Sequence, residues 1–157
     1  MSVERVKKFF AALGEPEKIL EFEESTATSE QAAQVLNCEV GRIAKTISVL
    51  VEGQPILILL GGDMKLDNKK FKSQFSTRPK MIPIDEVEKF IGHAVGGVCP
   101  FAVNDGIKIF LDESLKRFDF IYPAAGSSNS IVKLNLDELE KYINSSGWVD
   151  VAKSKSF

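Results

Sequence analysis

Lys45 and two glycine-bearing loops are the parts of this chain whose residue types could do chemistry. Lys45 lies in Ile43-Ala44-Lys45-Thr46-Ile47-Ser48-Val49-Leu50-Val51, an alternating run that predicts a half-buried strand. Side chains two apart share a face, so Ile43, Lys45, Ile47, Val49 and Val51 point one way and Ala44, Thr46, Ser48 and Leu50 the other. The ammonium is thereby set on an apolar face, where without a partner it is costly or loses its proton. Two arrangements relieve this. The stem can snorkel to solvent at the strand's end, the commoner case in general, or the lysine can face a pocket that holds an anion. Thr46, on the other face, supports structure or reaches a rim.

The second segment is Ala94-Val95-Gly96-Gly97-Val98-Cys99-Pro100-Phe101. Paired glycines let the backbone take positive φ and approach a ligand closely, and Pro100 biases Cys99 towards extended geometry. Consecutive N–H groups in such a loop can cradle an oxyanion or a carbonyl, although a plain tight turn explains most Gly-Gly pairs. The third is Tyr122-Pro123-Ala124-Ala125-Gly126-Ser127-Ser128-Asn129-Ser130, whose small polar residues suit either a site lining or an ordinary turn. Cys99 and His93 are six positions apart, but no third orienting group is visible, so a packed thiol is expected rather than a nucleophile. His93 next to Gly92 is expected at a helix C-terminus, on the dipole. A Schiff-base role for Lys45 would want a cofactor signature, and neither a Walker A sequence nor a GxGxxG fingerprint occurs.

These segments need elements to carry them. Val3 to Leu13 shows a helical apolar face stopped by Gly14 and Pro16, and Ile19 to Phe22 is a short strand candidate. Thr28-Ser29-Glu30-Gln31 resembles a capping box that opens a helix to about Leu36. The Lys45 strand forms a hairpin with Pro55 to Leu60, its tip broken at Glu52-Gly53-Gln54. A basic helix follows over Asp67 to Gln74, then a brief strand at Met81-Ile82 and a helix from about Asp85 to Ile91, closed by Gly92. Lys108 to Leu111, Phe118 to Tyr122, Ser130 to Leu134 and Trp148 to Val151 read as strands, with Asn135 capping a helix through Ile143. Six or seven short strands mixed with helices predict an α+β fold built on a mixed, curled sheet or small barrel.

Composition bounds the function. At 157 residues, 44% hydrophobic and 27% charged, residues 1–157 are expected to form one soluble domain. No apolar run is long enough to span a bilayer and no secretory signal pattern opens the chain, so no membrane partner and a cytoplasmic location are expected. Two cysteines and one histidine make neither a disulfide framework nor a metal set, so no metal and no cofactor are expected. The net charge of −2 disfavours duplex DNA. Charge is uneven, however. Lys65, Lys69, Lys70, Lys72, Arg78 and Lys80 against Asp67 give that window +5 and leave −7 elsewhere, either a solvated helix face or a local phosphate-contacting patch.

Taken together, Gly41-Arg42-Ile43-Ala44-Lys45-Thr46-Ile47, then Val95-Gly96-Gly97-Val98-Cys99-Pro100, then Ile121-Tyr122 leading into Ala125-Gly126-Ser127 resemble the YbaK/ProX family of aminoacyl-tRNA deacylases, relatives of the editing domain of bacterial prolyl-tRNA synthetases. The stretch Thr26 to Ala33 adds to the likeness, which runs from about Ile19 to Val151. The resemblance implies a barrel-like mixed sheet and trans-editing hydrolysis of tRNA mischarged with a small amino acid. In this chain Lys45 would hold the phosphate of the terminal adenosine, and Gly96, Gly97, Val98, Cys99 and Pro100 would form the loop that holds the ester carbonyl and positions water. Thr46, Ala125, Gly126 and Ser127 would border the substrate. The implied partners are the aminoacyl-tRNA acceptor end and an aminoacyl-tRNA synthetase. The competing expectation is a non-catalytic module that binds a tRNA end or other nucleic acid.

Overall fold

A computed structural model describes residues 2–155 and places a seven-stranded mixed sheet at the centre of the fold. The chain enters through helix α1 (Ser2–Ala12) and strand β1 (Ile19–Glu21), and then forms α2 (Ser29–Leu36). Thr28 caps α2 as expected: its hydroxyl accepts from the Gln31 N–H, while the Gln31 side-chain Oε1 accepts from the Thr28 N–H. Next comes the hairpin of β2 (Ile43–Val51) and β3 (Gln54–Gly61). Its tip is an intact two-residue turn, because Glu52 and Gly53 both take positive φ, 51° and 80°. That geometry matches the twist of the flanking strands, and Gln54 already belongs to β3.

Strand β4 (Met64–Leu66) leads into the basic helix α3 (Asn68–Phe75), capped by Asp67, and then β5 (Lys80–Met81) and α4 (Val87–Ile91), closed by Gly92. The second half supplies β6 (Lys108–Asp112), β7 (Phe120–Pro123), β8 (Ser130–Val132), β9 (Leu134–Asn135), α5 (Leu136–Tyr142), β10 (Gly147–Val149) and β11 (Ala152–Ser154). The expected strand over Ser130 to Leu134 is divided at Lys133, because β8 pairs with β1 while β9 pairs with β7. Strands β4 and β11 were not anticipated. Each has three residues and too short a pattern to register, and they find each other only as an antiparallel pair.

The main sheet runs β10-β6-β3-β2-β7-β9, with β5 also on β2. The β2–β3 and β7–β9 pairs are antiparallel, and β10–β6, β6–β3 and β2–β7 are parallel. The expected α+β class with a mixed, curled sheet holds. Strand β3 is buried on both faces, which is why Ile56 to Leu60 is uninterrupted hydrophobic sequence. Leu57 and Leu59 join α1, α4 and α5 in the largest core cluster, while Ile56, Ile58 and Leu60 meet Phe71 of α3 on the other side. No helix among the described residues is long and apolar enough to cross a membrane.

Candidate functional site

Strand β2 is only partly covered on its outer edge. It pairs with β7 at Ile43 and Ala44 and with β5 at Val49 and Leu50, so Lys45 to Ser48 have no strand neighbour on that side. In an antiparallel ladder, alternate residues direct both backbone N–H and C=O away from the partner strand. Half of the residues from Lys45 to Ser48 therefore aim unpaired backbone groups into the gap. A cavity of about 350 Å³ occupies it. Its floor is β2, one wall is the capped start of α2 with Thr28 and Ser29, and the opposite wall carries Gly96 and Val98. Tyr122 and Ala124 close one end, while Met81, Ile84 and Val95 form an exposed apolar lip.

Lys45 lines this cavity, and among the described residues no carboxylate forms an ion pair with it. Burial pushes its ammonium down to about 8, and the nearby Lys155 pushes in the same direction. Glu30 and Asp63 pull it up, but each already has a cation of its own. Lys155 reaches Glu30 at 2.9 Å, and Arg117 grips Asp63 with two hydrogen bonds of 2.8 and 2.7 Å. Lys45 is therefore a cation held in partial burial with no ion pair of its own, its two nearby carboxylates being shared with other cations, which suits an anionic ligand. Thr46 also lines the cavity, and its hydroxyl oxygen is buried with no hydrogen-bond partner among the described residues. A buried orphan hydroxyl is destabilising unless something else satisfies it.

The glycine loop is fixed by its neighbour. Gly96 takes φ +94°, and the Gly97 N–H donates to the Ala94 carbonyl at 3.0 Å. A Cβ on Gly97 would lie 2.6 Å from the Gly126 carbonyl carbon and oxygen and 2.8 Å from the Ser127 nitrogen. The two loops are thus in backbone contact, which only glycine permits. Gly96 and Val98 reach the cavity, whereas Cys99 and Pro100 are buried behind them.

Ala125, Gly126 and Ser127 stand behind the cavity and support it from there. Ala125 is fully buried with its N–H on the Ser130 carbonyl, and the Ser127 hydroxyl is engaged with Asn129 and Ser130 at 2.8 and 2.6 Å. Their neighbours Ala124 and Ile131 form the lining instead.

Cys99 and His93 do meet, at 3.5 Å between Sγ and Nε2, but not as a reactive pair. Nε2 lies 2.6 Å from the Phe101 carbonyl, so the proton sits there. Burial holds the imidazole below its usual pKa and pushes the thiol up to about 12. His93 is fully buried and bonded to Phe101, not seated on a helix dipole as its sequence position suggested. Lys155 is the neighbour that sequence reasoning missed. The spacing of Val151, Lys153 and Lys155 is its only local signal, and β11 is too short for that alternation to be decisive.

The sequence profile of the aminoacyl-tRNA editing domain matches residues 23–142. The chain is 42% identical over 154 residues to the uncharacterized protein YwhH of Bacillus subtilis, covering 98% of both chains. It is 23% identical over 146 residues to the proline–tRNA ligase of Lactiplantibacillus plantarum, covering 92% of this chain but only 25% of the ligase. A crystal structure described as a proposed trans-editing enzyme for prolyl tRNA synthetase superposes with a TM-score of 0.86 at 27% identity, covering 98% of each chain.

Proposed function

This chain belongs to the aminoacyl-tRNA editing domain family, and we propose that it hydrolyses the ester of tRNA mischarged with a small amino acid. The observation that carries this reading is Lys45, an unpaired ammonium on the floor of a cavity whose other polar groups are neutral. In the proposal Lys45 anchors the phosphate of the terminal adenosine and takes no part in bond breaking. In the Gly96 to Pro100 loop the backbone of Gly96 and Val98, the members that line the cavity, faces the ester carbonyl and stabilises the negative charge that develops on its oxygen. One such donor is worth about 2.7–4 kcal/mol of barrier.

No carboxylate, histidine or cysteine side chain lines the cavity among the described residues, and in the proposal the attacking group is water. Water adds to the carbonyl carbon, the ribose oxygen leaves with a proton relayed by the vicinal ribose hydroxyl, and free amino acid and tRNA result. An aminoacyl ester is reactive enough for this route. A volume of about 350 Å³ is near the lower end for ligand pockets, which favours a small acyl group.

The alternative is a module that binds the tRNA end without hydrolysis. It draws on the same absence of a side-chain base. Incubating a panel of charged tRNAs with the wild type and with Lys45→Ala separates the two. The wild type is expected to shorten the acyl half-life of at least one small-residue tRNA, and Lys45→Ala to lose at least about tenfold in kcat/KM, or 1.4 kcal/mol. Unchanged half-lives across the panel would overturn the enzyme reading and leave the binding module.

A further inference from the structure

Strand β11 and the residue that follows it carry two lysines, Lys153 and Lys155, the second beside the cavity lysine Lys45, and their arrangement is unusual for a structural pair. In the β4–β11 ladder Lys153 lies directly opposite Lys65, and the next bond of the same ladder runs from the Lys155 N–H to the Asp63 carbonyl at 3.1 Å. Directly opposed residues of an antiparallel pair share a face, and residues two apart share it again. Lys65, Lys153 and Lys155 therefore stand on one face, with Lys155 adjoining Lys45 at the cavity. Opposed like charges destabilise a sheet, so packing does not account for Lys65 facing Lys153. The carboxylates nearby do not neutralise the row. Asp63 is taken by Arg117, Asp67 beside Lys153 is engaged by the Lys69 and Lys70 N–H groups at the start of α3, and Glu30 is bonded to Lys155 through an exposed pair that a stronger anion can displace. By contrast Lys70, from the same basic window, is committed to Asp150 and to the Ala152 carbonyl.

We propose that Lys155, Lys153 and Lys65 form a phosphate-binding ridge that continues from Lys45 and carries the single-stranded 3′ end of the RNA away from the cavity. This rests on the deacylase reading for the identity of the RNA. In the free protein Lys155 is parked on Glu30; a bound phosphodiester replaces that carboxylate, and Lys153 with Lys65 meets the next phosphate along the strand. The spacing of Lys153 and Lys155 along β11 is about 6.8 Å, two residues of rise.

The test is the salt dependence of binding of uncharged tRNA and of a short single-stranded RNA with the tRNA 3′ sequence. Each phosphate contact to a single strand contributes about 0.7 to the slope of log Kd against log salt. The triple variant Lys65→Ala, Lys153→Ala, Lys155→Ala removes two phosphate contacts and is expected to lower the slope by about 1.4 for both RNAs. In deacylation it should raise KM with kcat unchanged. Replacing the three lysines by arginine should keep the wild-type slope, which separates charge from the folding of β11. Lys108→Ala, exposed on β6 at the far end of β3, should leave the slope as it is. A slope unchanged in the alanine triple while the wild type still deacylates would overturn the ridge and spare the deacylase reading. A lowered slope with no deacylation of any charged tRNA would uphold the ridge and overturn that reading.

Discussion

At the residue scale, Lys45 is held at a thermodynamic cost. An unfolded lysine titrates near 10.5, and burial with Lys155 nearby brings the folded group to about 8. Below pH 8 both states carry the proton, and the folded state bears the full penalty of a half-buried ammonium. Between 8 and 10.5 the folded state releases its proton first, so the penalty fades and stability rises with pH. Lys45→Met is therefore expected to stabilise the protein at pH 7 by about 1 kcal/mol, well under the full linkage value because the stem still reaches solvent. The gain should vanish as pH approaches 10.5. Thermal melts of both proteins from pH 6 to 10.5 measure it, and a loss of stability at pH 7 would mean that the ammonium has a compensating partner. Sequence parity alone put this lysine on the apolar face. It did not separate a snorkelling stem from a pocket cation, because that depends on which strands cover the β2 edge.

At the element scale, the two loops beside the cavity are a matched pair. Gly97 has backbone atoms of Gly126 and Ser127 within 2.8 Å of where a Cβ would sit, whereas Gly96 has only the Ser128 Cβ, at 3.8 Å. Gly97→Ala must push the loops apart, and main chain cannot yield as a flexible side chain does. Gly96→Ala meets only the strain of its positive φ, about 1–2 kcal/mol. The expected order in a deacylation assay is a larger loss for Gly97→Ala, mostly in kcat, and a smaller one for Gly96→Ala. Equal loss of turnover and tRNA affinity in Gly97→Ala would argue that the loop only binds. The capping boxes of α2 and α5, the Gly92 stop and the β2–β3 hairpin were legible because they are written in adjacent residues. The contact of Gly97 with Gly126 was not, since nothing near either glycine records the other.

At the scale of the whole molecule, one buried carboxylate fastens the C-terminal segment to the sheet. Asp112, 1% exposed at the end of β6, accepts the Val151 N–H at 2.8 Å and the Ser114 N–H at 2.9 Å. Val151 immediately precedes β11, so this bond holds the strand that carries Lys153 and leads into Lys155. Asp112→Ala leaves two buried donors unpaired and is expected to cost about 1–3 kcal/mol for each, read as a lower denaturation midpoint. It should also weaken RNA binding, although Asp112 lies outside the cavity. Wild-type affinity in a destabilised but folded Asp112→Ala would show that β11 holds its place without this anchor.

The sequence by itself determined the α+β class, most elements, the parity of Lys45 and the family, because each is carried by periodicity, capping or short motifs whose physics is local. Only the tertiary structure decided what surrounds the site. It opened the β2 edge between β7 and β5, and it left Ala124 and Ile131 in the lining with Ala125 to Ser127 behind. It also delivered Lys155 to Lys45 across 110 residues of chain. These depend on pairings between distant segments, and no local pattern specifies which distant segment becomes the partner.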